Sequence, residues 1–258
     1  MDTALHTYRH LDEELTALHQ QILQMGTLAE QQVADALRAL VQRDNDLARH
    51  TIDADEEINR KDVEIDDLCI RLLARYQPAA RDLRLITTAL KITTDLERIG
   101  DLAVDICECA LELNVEPPLL PFIDIPAMAR IAQRMVHESL GAFVAGDPAL
   151  ALSVCRADDE IDGLNDQLFR ILLTYMVEDP RTVSRATRLM CVAQCMERIA
   201  DHATNVAEMV VYMVRGSTIR HLAPLPAALE LSGVQSHRAD IGSPSASERE
   251  DRVPITVR

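Results

Sequence analysis

Acidic side chains recur at a spacing of four residues in two segments that lie one hundred residues apart. The segments are TTDLERIGDLAVD, with Glu97, Asp101 and Asp105, and AQCMERIADHATN, with Glu197, Asp201 and Asn205. Residues four apart share one face of an α-helix, so each segment predicts a polar row on its helix. Apolar residues such as Leu90 and Val104 lie on the face that holds Glu97, so the carboxylates interrupt a stripe that otherwise predicts burial.

Two further polar pairs with the same spacing precede these segments. Asp55 and Asn59 lie in DEEIN, and Asp158 and Asp162 lie in DDEID. Turns near residues 78 and 180 join each pair's helix to the next helix as a hairpin. Asp55 and Glu97 lie at similar distances from the first turn, and Asp158 and Glu197 from the second. We therefore expect the acidic faces to meet at two places.

Carboxylates gathered between helices need a compensating charge. Like charges four apart on an exposed helix repel by about 0.2–0.5 kcal/mol, and removal from water increases that cost unless a proton or a cation neutralises them. Carboxylate and amide oxygens form a hard ligand set that suits Mg²⁺, Ca²⁺, Mn²⁺ or iron, and Zn²⁺ also accepts carboxylates. The sequence predicts two cation sites.

Ordinary surface ion pairs are the competing interpretation. Arg98 and Arg198 each precede an aspartate of the motif by three residues, at Asp101 and Asp201, so each could form a salt bridge within its helix. A single motif of this kind carries no information. Four acidic pairs at equivalent places favour the cation sites.

Proline, glycine and aspartate divide the chain into six helical segments. We predict helices over 5–42, 46–76, about 80–113 and about 126–145, a fifth to about 177 and a sixth to about 215. The predicted domains are a first three-helix bundle over 1–115, a proline-rich connector over 116–126, a second bundle over 127–215 and a disordered tail over 216–258.

Composition and an internal repeat predict the fold class. Aromatic residues make up only 3% of the chain and there are 8 glycines, which favours helices over sheets. An offset of 103 aligns Asp44 with Asp147 and Ile58 with Ile161, and an offset of 100 aligns Thr87 with Thr187. We predict an all-α protein of two tandem, pseudo-symmetric three-helix bundles.

The net charge and the hydropathy of the chain limit which kinds of partner and which cellular compartment we expect. A net charge of −16 argues against binding to nucleic acid, which requires a basic surface. No apolar run approaches the roughly 18–20 residues that cross a bilayer, and the first residues do not form a signal peptide. We expect a cytoplasmic protein whose six cysteines, which form no CxxC pair, are small buried residues.

The duplicated unit with LERIGDLAVDI and MERIADHATNVAE resembles the PhoU family over about residues 5–215. That resemblance implies a negative regulator of the phosphate regulon and of phosphate uptake. It also implies two partners, the ATPase subunit of a phosphate ABC transporter and a sensor histidine kinase. Contact with the membrane would be through partners only, and we expect a homodimer.

Metal ligands also follow from the resemblance, because some family members hold iron or zinc clusters at such motifs. The first metal site would use Asp55, Asn59, Glu97, Asp101 and Asp105, and the second metal site Asp158, Asp162, Glu197, Asp201 and Asn205. Asp105 stands where the family pattern often has Asn and adds charge. The cation could be iron, zinc, manganese or magnesium.

Two other function classes stay open at this point. A carboxylate-bridged metalloenzyme of the ferritin-like type would use Glu-x-x-His pairs, but positions 100 and 200 are Gly and Ala. A plain helical scaffold would use the acidic faces to contact arginine-rich partners. The sequence has no phosphate-binding glycine loop and no HExxH motif, so we expect no enzymatic activity. His202 lies about 100° from Asp201 around the helix and receives no role.

Overall fold

The structure of the chain, a computed structural model, describes residues 2–119 and 125–219. These residues form six α-helices and one short 3-10 turn, with no strand among them. The helices are α1 (Asp2–Gln42), α2 (Asn45–Tyr76), α3 (Ala80–Leu113), α4 (Ile125–Ala145), α5 (Pro148–Glu178) and α6 (Val183–Arg215), and the 3-10 turn is Pro180–Thr182. The predicted all-α fold is confirmed.

Aspartates at equivalent positions begin the middle helix of each half. Asp44 accepts hydrogen bonds from the backbone N–H groups of Asp46 and Leu47, each at 3.0 Å. Asp147, at the offset of 103, accepts bonds from Ala149 at 2.8 Å and Leu150 at 3.2 Å. Such caps satisfy backbone donors that the first turn of a helix leaves free, which is why both turns could be located from sequence.

The six helices form two related bundles that share an extensive interface. Helices α1, α2 and α3 pack on one another, as do α4, α5 and α6, and α3 packs against α6 between the two groups. The predicted pair of three-helix bundles is confirmed. Both lie in one compact unit, so the domain boundaries at residues 115 and 127 stay predictions.

Helices α3 and α6 run antiparallel across this interface. Asp95 near the middle of α3 accepts a hydrogen bond from Asn205 of α6, whereas Glu112 at the end of α3 pairs with Arg188 near the start of α6. The two residues of each pair have numbers that sum to 300. When each residue of such a pair is replaced by its repeat equivalent, 100 positions away in the other bundle, the sum of the two numbers stays 300. The two bundles are therefore related by an approximate two-fold axis.

The first helices of the two bundles also touch. A Cβ atom on Gly26 of α1 would lie 2.5 Å from a terminal methyl carbon of Leu140 on α4, so glycine allows the close approach. Nearby, His137 of α4 lies 2.8 Å from the carboxylate of Glu30 on α1. The contact between the bundles therefore extends beyond α3 and α6.

Aliphatic side chains fill the interior, and α3 and α6 are buried on more than one side. All six cysteines are free thiols. Burial, which was predicted for all of them, holds for Cys69, Cys107 and Cys195, whereas the other three are partly exposed. No helix in residues 2–119 and 125–219 is long and apolar enough to cross a membrane. The predicted tail lies outside the described residues from 220 onward, as do residues 120–124 of the predicted connector.

Candidate functional site

Helices α2 and α3 bring the first group of carboxylates together, and we call Asp55, Asp62, Glu97 and Asp101 the first cluster. Burial raises the pKa of the Glu97 carboxyl, the charge of Asp101 raises it further, and Asp62 and Asp55 add to the effect. The pKa of Asp62 is also raised, chiefly by burial. The predicted meeting of acidic faces across the first hairpin is therefore present.

Asp55 lies at the inner end of this cluster, where three helices meet. Its carboxylate accepts hydrogen bonds from Gln32 of α1 at 3.0 Å and from Asn59 at 2.7 Å. Gly100 gives it room, since a Cβ atom there would lie 3.0 Å from an Asp55 oxygen. Because the glycine of LERIGD has no side chain, the Asp55 carboxylate can approach α3 closely.

Arg98 neutralises part of the first cluster. Its guanidinium lies 2.9 Å from Asp101 and 3.4 Å from Glu97, and Arg98 lowers the pKa of Glu97 against the effect of burial. The salt bridge within the helix, which was the competing interpretation, therefore exists here. Asp55 and Asp62 do not form a salt bridge with the Arg98 guanidinium.

Helices α5 and α6 form the second cluster, which consists of Asp158, Asp162, Glu197 and Asp201. Burial, with the charges of Asp201 and Asp162, raises the pKa of Asp158 to about 6, while the Thr204 hydroxyl lowers it. One Asp158 oxygen is buried and has no hydrogen-bond partner in the described part of the chain. The pKa values of Asp162 and Glu197 are raised by burial and then by Asp201.

The last residue of each motif lies at a different contact. Asn205 donates a hydrogen bond of 3.2 Å to Asp95 across the interface of α3 and α6, where the His202 ring nitrogen lies 2.8 Å from the same oxygen. Asp105 is exposed and raises the pKa values of Cys109 and Cys195. These contacts of Asp105 and Asn205 are thus with groups at the interface of α3 and α6, and the place of the two residues in the metal sites stays a prediction.

Sequence reasoning missed Gln32, which joins the first cluster from α1. Its side chain is 4% exposed, and its carbonyl oxygen has no hydrogen-bond partner among the described residues. The signal in the sequence was that Gln32 is a polar residue within an apolar stripe that includes the buried Ala29 and Val33. The Thr204 hydroxyl beside Asp158 was also missed.

The side-chain atoms that could bind a metal in both clusters are of the kind that hard cations prefer. The donors are oxygens, and one Asp158 oxygen and the neighbouring Thr204 hydroxyl are both buried without a hydrogen-bond partner among the described residues. In the described ranges no three His, Cys, Asp or Glu side chains are arranged to hold a metal ion. A bound cation would therefore require the clustered carboxylates to rotate toward one another.

Asp158 makes stability depend on pH when no cation is bound. Its folded pKa of about 6 exceeds the ordinary value of 3.8, so its ionisation destabilises the fold as pH rises from about 4 through 6, and below that range the cost is absent. Two pKa units correspond to about 3 kcal/mol, which solvent screening of this half-exposed carboxyl reduces to about 1 kcal/mol. Asp158→Asn should stabilise the chelator-treated protein at pH 7 but not at pH 4.

Urea unfolding followed by circular dichroism at the two pH values measures this difference. Asp67→Asn, a change at an exposed position of α2, is the control and should have little effect at either pH. An equal effect of Asp158→Asn at pH 4 and pH 7 would contradict the prediction.

Comparison with known proteins identifies the family. A family model described as the PhoU domain matches residues 22–110 and again 125–210, one match in each bundle. The chain belongs to the PhoU family.

PhoU relatives align with most of the chain. A protein of Pseudomonas aeruginosa named phosphate-specific transport system accessory protein PhoU homolog is 42% identical over 219 residues, which cover 84% of this chain and 90% of the relative. The Escherichia coli K12 accessory protein PhoU is 38% identical over 220 residues, covering 84% and 90%.

Two solved PhoU structures share the fold. The crystal structure of PhoU from Pseudomonas aeruginosa superposes with a TM-score of 0.78 at 42% identity, covering 80% of this chain and 99% of that one. The phosphate transport system regulatory protein PhoU from Streptococcus pneumoniae gives 0.75 at 29% identity, covering 81% and 99%.

Proposed function

We propose that this protein regulates phosphate uptake and represses the phosphate regulon when phosphate is plentiful. Two PhoU domain matches in one chain carry the proposal, and relatives at about 40% identity are named accessory proteins of phosphate-specific transport.

In this proposal the chain is a cytoplasmic adaptor that contacts the ATPase subunit of the phosphate transporter and the sensor histidine kinase. Assembly as a homodimer would double each contact surface. The names of the relatives support the proposed contact with the transporter more directly than the proposed contact with the kinase.

The two carboxylate clusters would hold divalent or iron cations in this regulator. The supporting observations are the raised pKa values of Glu97, Asp158 and Glu197 and the unpartnered Asp158 oxygen. A cation would relieve the repulsion that raises these pKa values and would fix α2 on α3 and α5 on α6. Bound iron, zinc, manganese or magnesium would thus be structural or sensory rather than catalytic.

The ferritin-like alternative is disfavoured by the residues of the clusters. Ferritin-like sites carry histidine three residues after the glutamate, but Gly100 and Ala200 stand at those positions here. The named relatives are accessory or regulatory proteins.

A deletion strain tests the regulatory function. Cells that lack the gene should express alkaline phosphatase, a reporter of the phosphate regulon, in high-phosphate medium, and should accumulate phosphate above the level of the parent. Re-expression of the intact chain should restore repression. Unchanged reporter activity together with unchanged phosphate content in the deletion strain would rule the proposal out.

A further inference from the structure

A cavity of about 570 Å³ lies where the start of α3 meets the ends of α4 and α6. Its wall includes Arg81, Arg84, His19 and Phe143, and none of the clustered carboxylates lines it. In a chain with a net charge of −16, two arginines facing one cavity form a local region of opposite sign.

Arg84 carries a donor that the described residues do not satisfy. Its Nε atom is buried and has no hydrogen-bond partner among them. The guanidinium carbon lies 3.5 Å from where a Cβ atom on Gly216 would be, so the group rests against the backbone at the end of α6. Asp82 also lines the cavity, but no ion pair joins it to Arg81 or Arg84 in the part that the structure describes. None of the Arg84 guanidinium donors is hydrogen-bonded to a described residue, and a bound anion would satisfy those that face the cavity.

At the related end of the molecule an arginine is paired with a carboxylate of the chain itself. A smaller cavity of about 260 Å³ there is lined by Leu40, Val41, Leu113 and Asn114, the repeat equivalents of Phe143, Val144, Met213 and Val214. At that end Arg185 forms an ion pair with the Glu116 carboxylate at 3.3 Å and donates a hydrogen bond of 2.9 Å to the Pro117 carbonyl. Its Nε atom, like that of Arg84, has no hydrogen-bond partner among the described residues, so the two ends differ in the ion pair.

The acidic partner has no counterpart beside Arg84. The repeat equivalent of Glu116, at the offset of 100, is Gly216, the residue against which the Arg84 guanidinium rests. Arg185 lies one residue beyond Ser184, the repeat equivalent of Arg84. One end of the duplicated fold thus pairs an arginine with a carboxylate, and the other has a larger cavity and no such carboxylate. An external anion can take the place that Glu116 occupies at the first end.

We propose that this cavity binds a phosphate group through Arg84 and Arg81. A guanidinium presents two parallel N–H donors that match the oxygens of phosphate, and the start of α3, which no side chain caps, adds partial positive charge. The choice of phosphate among oxyanions rests on the proposed function. Because the cavity exceeds the size of orthophosphate, the group could come from free phosphate or from a nucleotide.

Equilibrium dialysis of the full chain against radiolabelled orthophosphate tests this proposal, with a chelator present so that no metal mediates binding. We expect one phosphate per chain, and Arg81→Gln/Arg84→Gln should weaken binding about tenfold or more because two charge-assisted bonds are lost. Arg181→Gln is the matched control, since Arg181 is the repeat equivalent of Arg81 and does not line the cavity. It should bind as the unaltered chain does.

Arg84→Lys, which keeps the charge but loses the paired donors, should bind with intermediate affinity, and thermal melting checks that each variant folds. Competition by ATP that exceeds competition by orthophosphate would assign the phosphate group to a nucleotide. Absence of saturable binding, equal binding by the double variant, or equal affinity for sulfate would overturn the proposal. Because the assay uses purified protein, its result is independent of the deletion strain.

Discussion

Glu97→Ala/Glu197→Ala should abolish the stabilisation that divalent cations give to this protein. Saturation at about one hundred times the dissociation constant stabilises a folded protein by about 2.7 kcal/mol for each site, which at this chain length raises the melting temperature by about 5–10 °C per occupied site. The unaltered chain should show such a rise with at least one of Mg²⁺, Mn²⁺, Fe²⁺ and Zn²⁺. The double variant should show none, because each cluster loses a central carboxylate.

The same variant should match or exceed the stability of the unaltered chain when cations are absent. Burial and neighbouring charges raise the pKa values of both glutamates, so their ionised forms are destabilising at neutral pH. Removal of Glu97 and Glu197 therefore relieves repulsion. A scaffold whose acidic residues only form surface ion pairs would instead lose a little stability.

Glu57→Ala/Glu160→Ala is the matched control for this experiment. Both residues are exposed and repeat-equivalent, at the offset of 103, and each pairs with an arginine at 3.3 Å, Glu57 with Arg60 and Glu160 with Arg134. The control should keep the full response to cations. If neither the unaltered chain nor the double variant binds metal or responds to it, the two cation sites do not exist.

Leu102→Ala should destabilise both bundles together by about 3 kcal/mol, the usual cost of such a truncation in a packed core. Leu102 is 2% exposed, and it lies seven residues from Asp95 and from Cys109 on the face of α3 that packs on α6. The loss should appear as a single unfolding transition at lower denaturant, measured by circular dichroism.

Leu83→Ala on the same helix provides the control, because that side chain is 40% exposed and should contribute much less. Two separate transitions, with only the first bundle affected by Leu102→Ala, would show that the bundles fold independently. That outcome would contradict the expectation that the interface of α3 and α6 joins them.

Local signals in the sequence were sufficient for the helices and for most of both clusters. Asp44, Pro78 and Gly146 determine where helices begin or end through capping, a fixed φ or a left-handed turn, so the boundaries agree within a few residues. The meeting of Asp55 with Glu97 follows from counting residues along a hairpin, because each α-helical residue adds the same rise.

Contacts between the bundles could not be derived in this way. Asn205 lies at the correct spacing from Asp201, yet its amide bonds Asp95, because α6 crosses α3 on that side. His202, to which the sequence assigned no role, contacts the same carboxylate. Gln32 reaches its partner from a third helix. In each case the partner is distant in sequence, and the packing of the helices decides which residues meet.

Affinity capture at high phosphate tests the proposed regulatory role most directly. A tagged copy expressed from its own locus would be purified from phosphate-replete cells, and the bound proteins would be identified by mass spectrometry against an untagged strain. We expect the ATPase subunit of the phosphate transporter and the sensor histidine kinase to be enriched together. Enrichment of neither protein, with the tagged chain intact and abundant, would contradict the adaptor function.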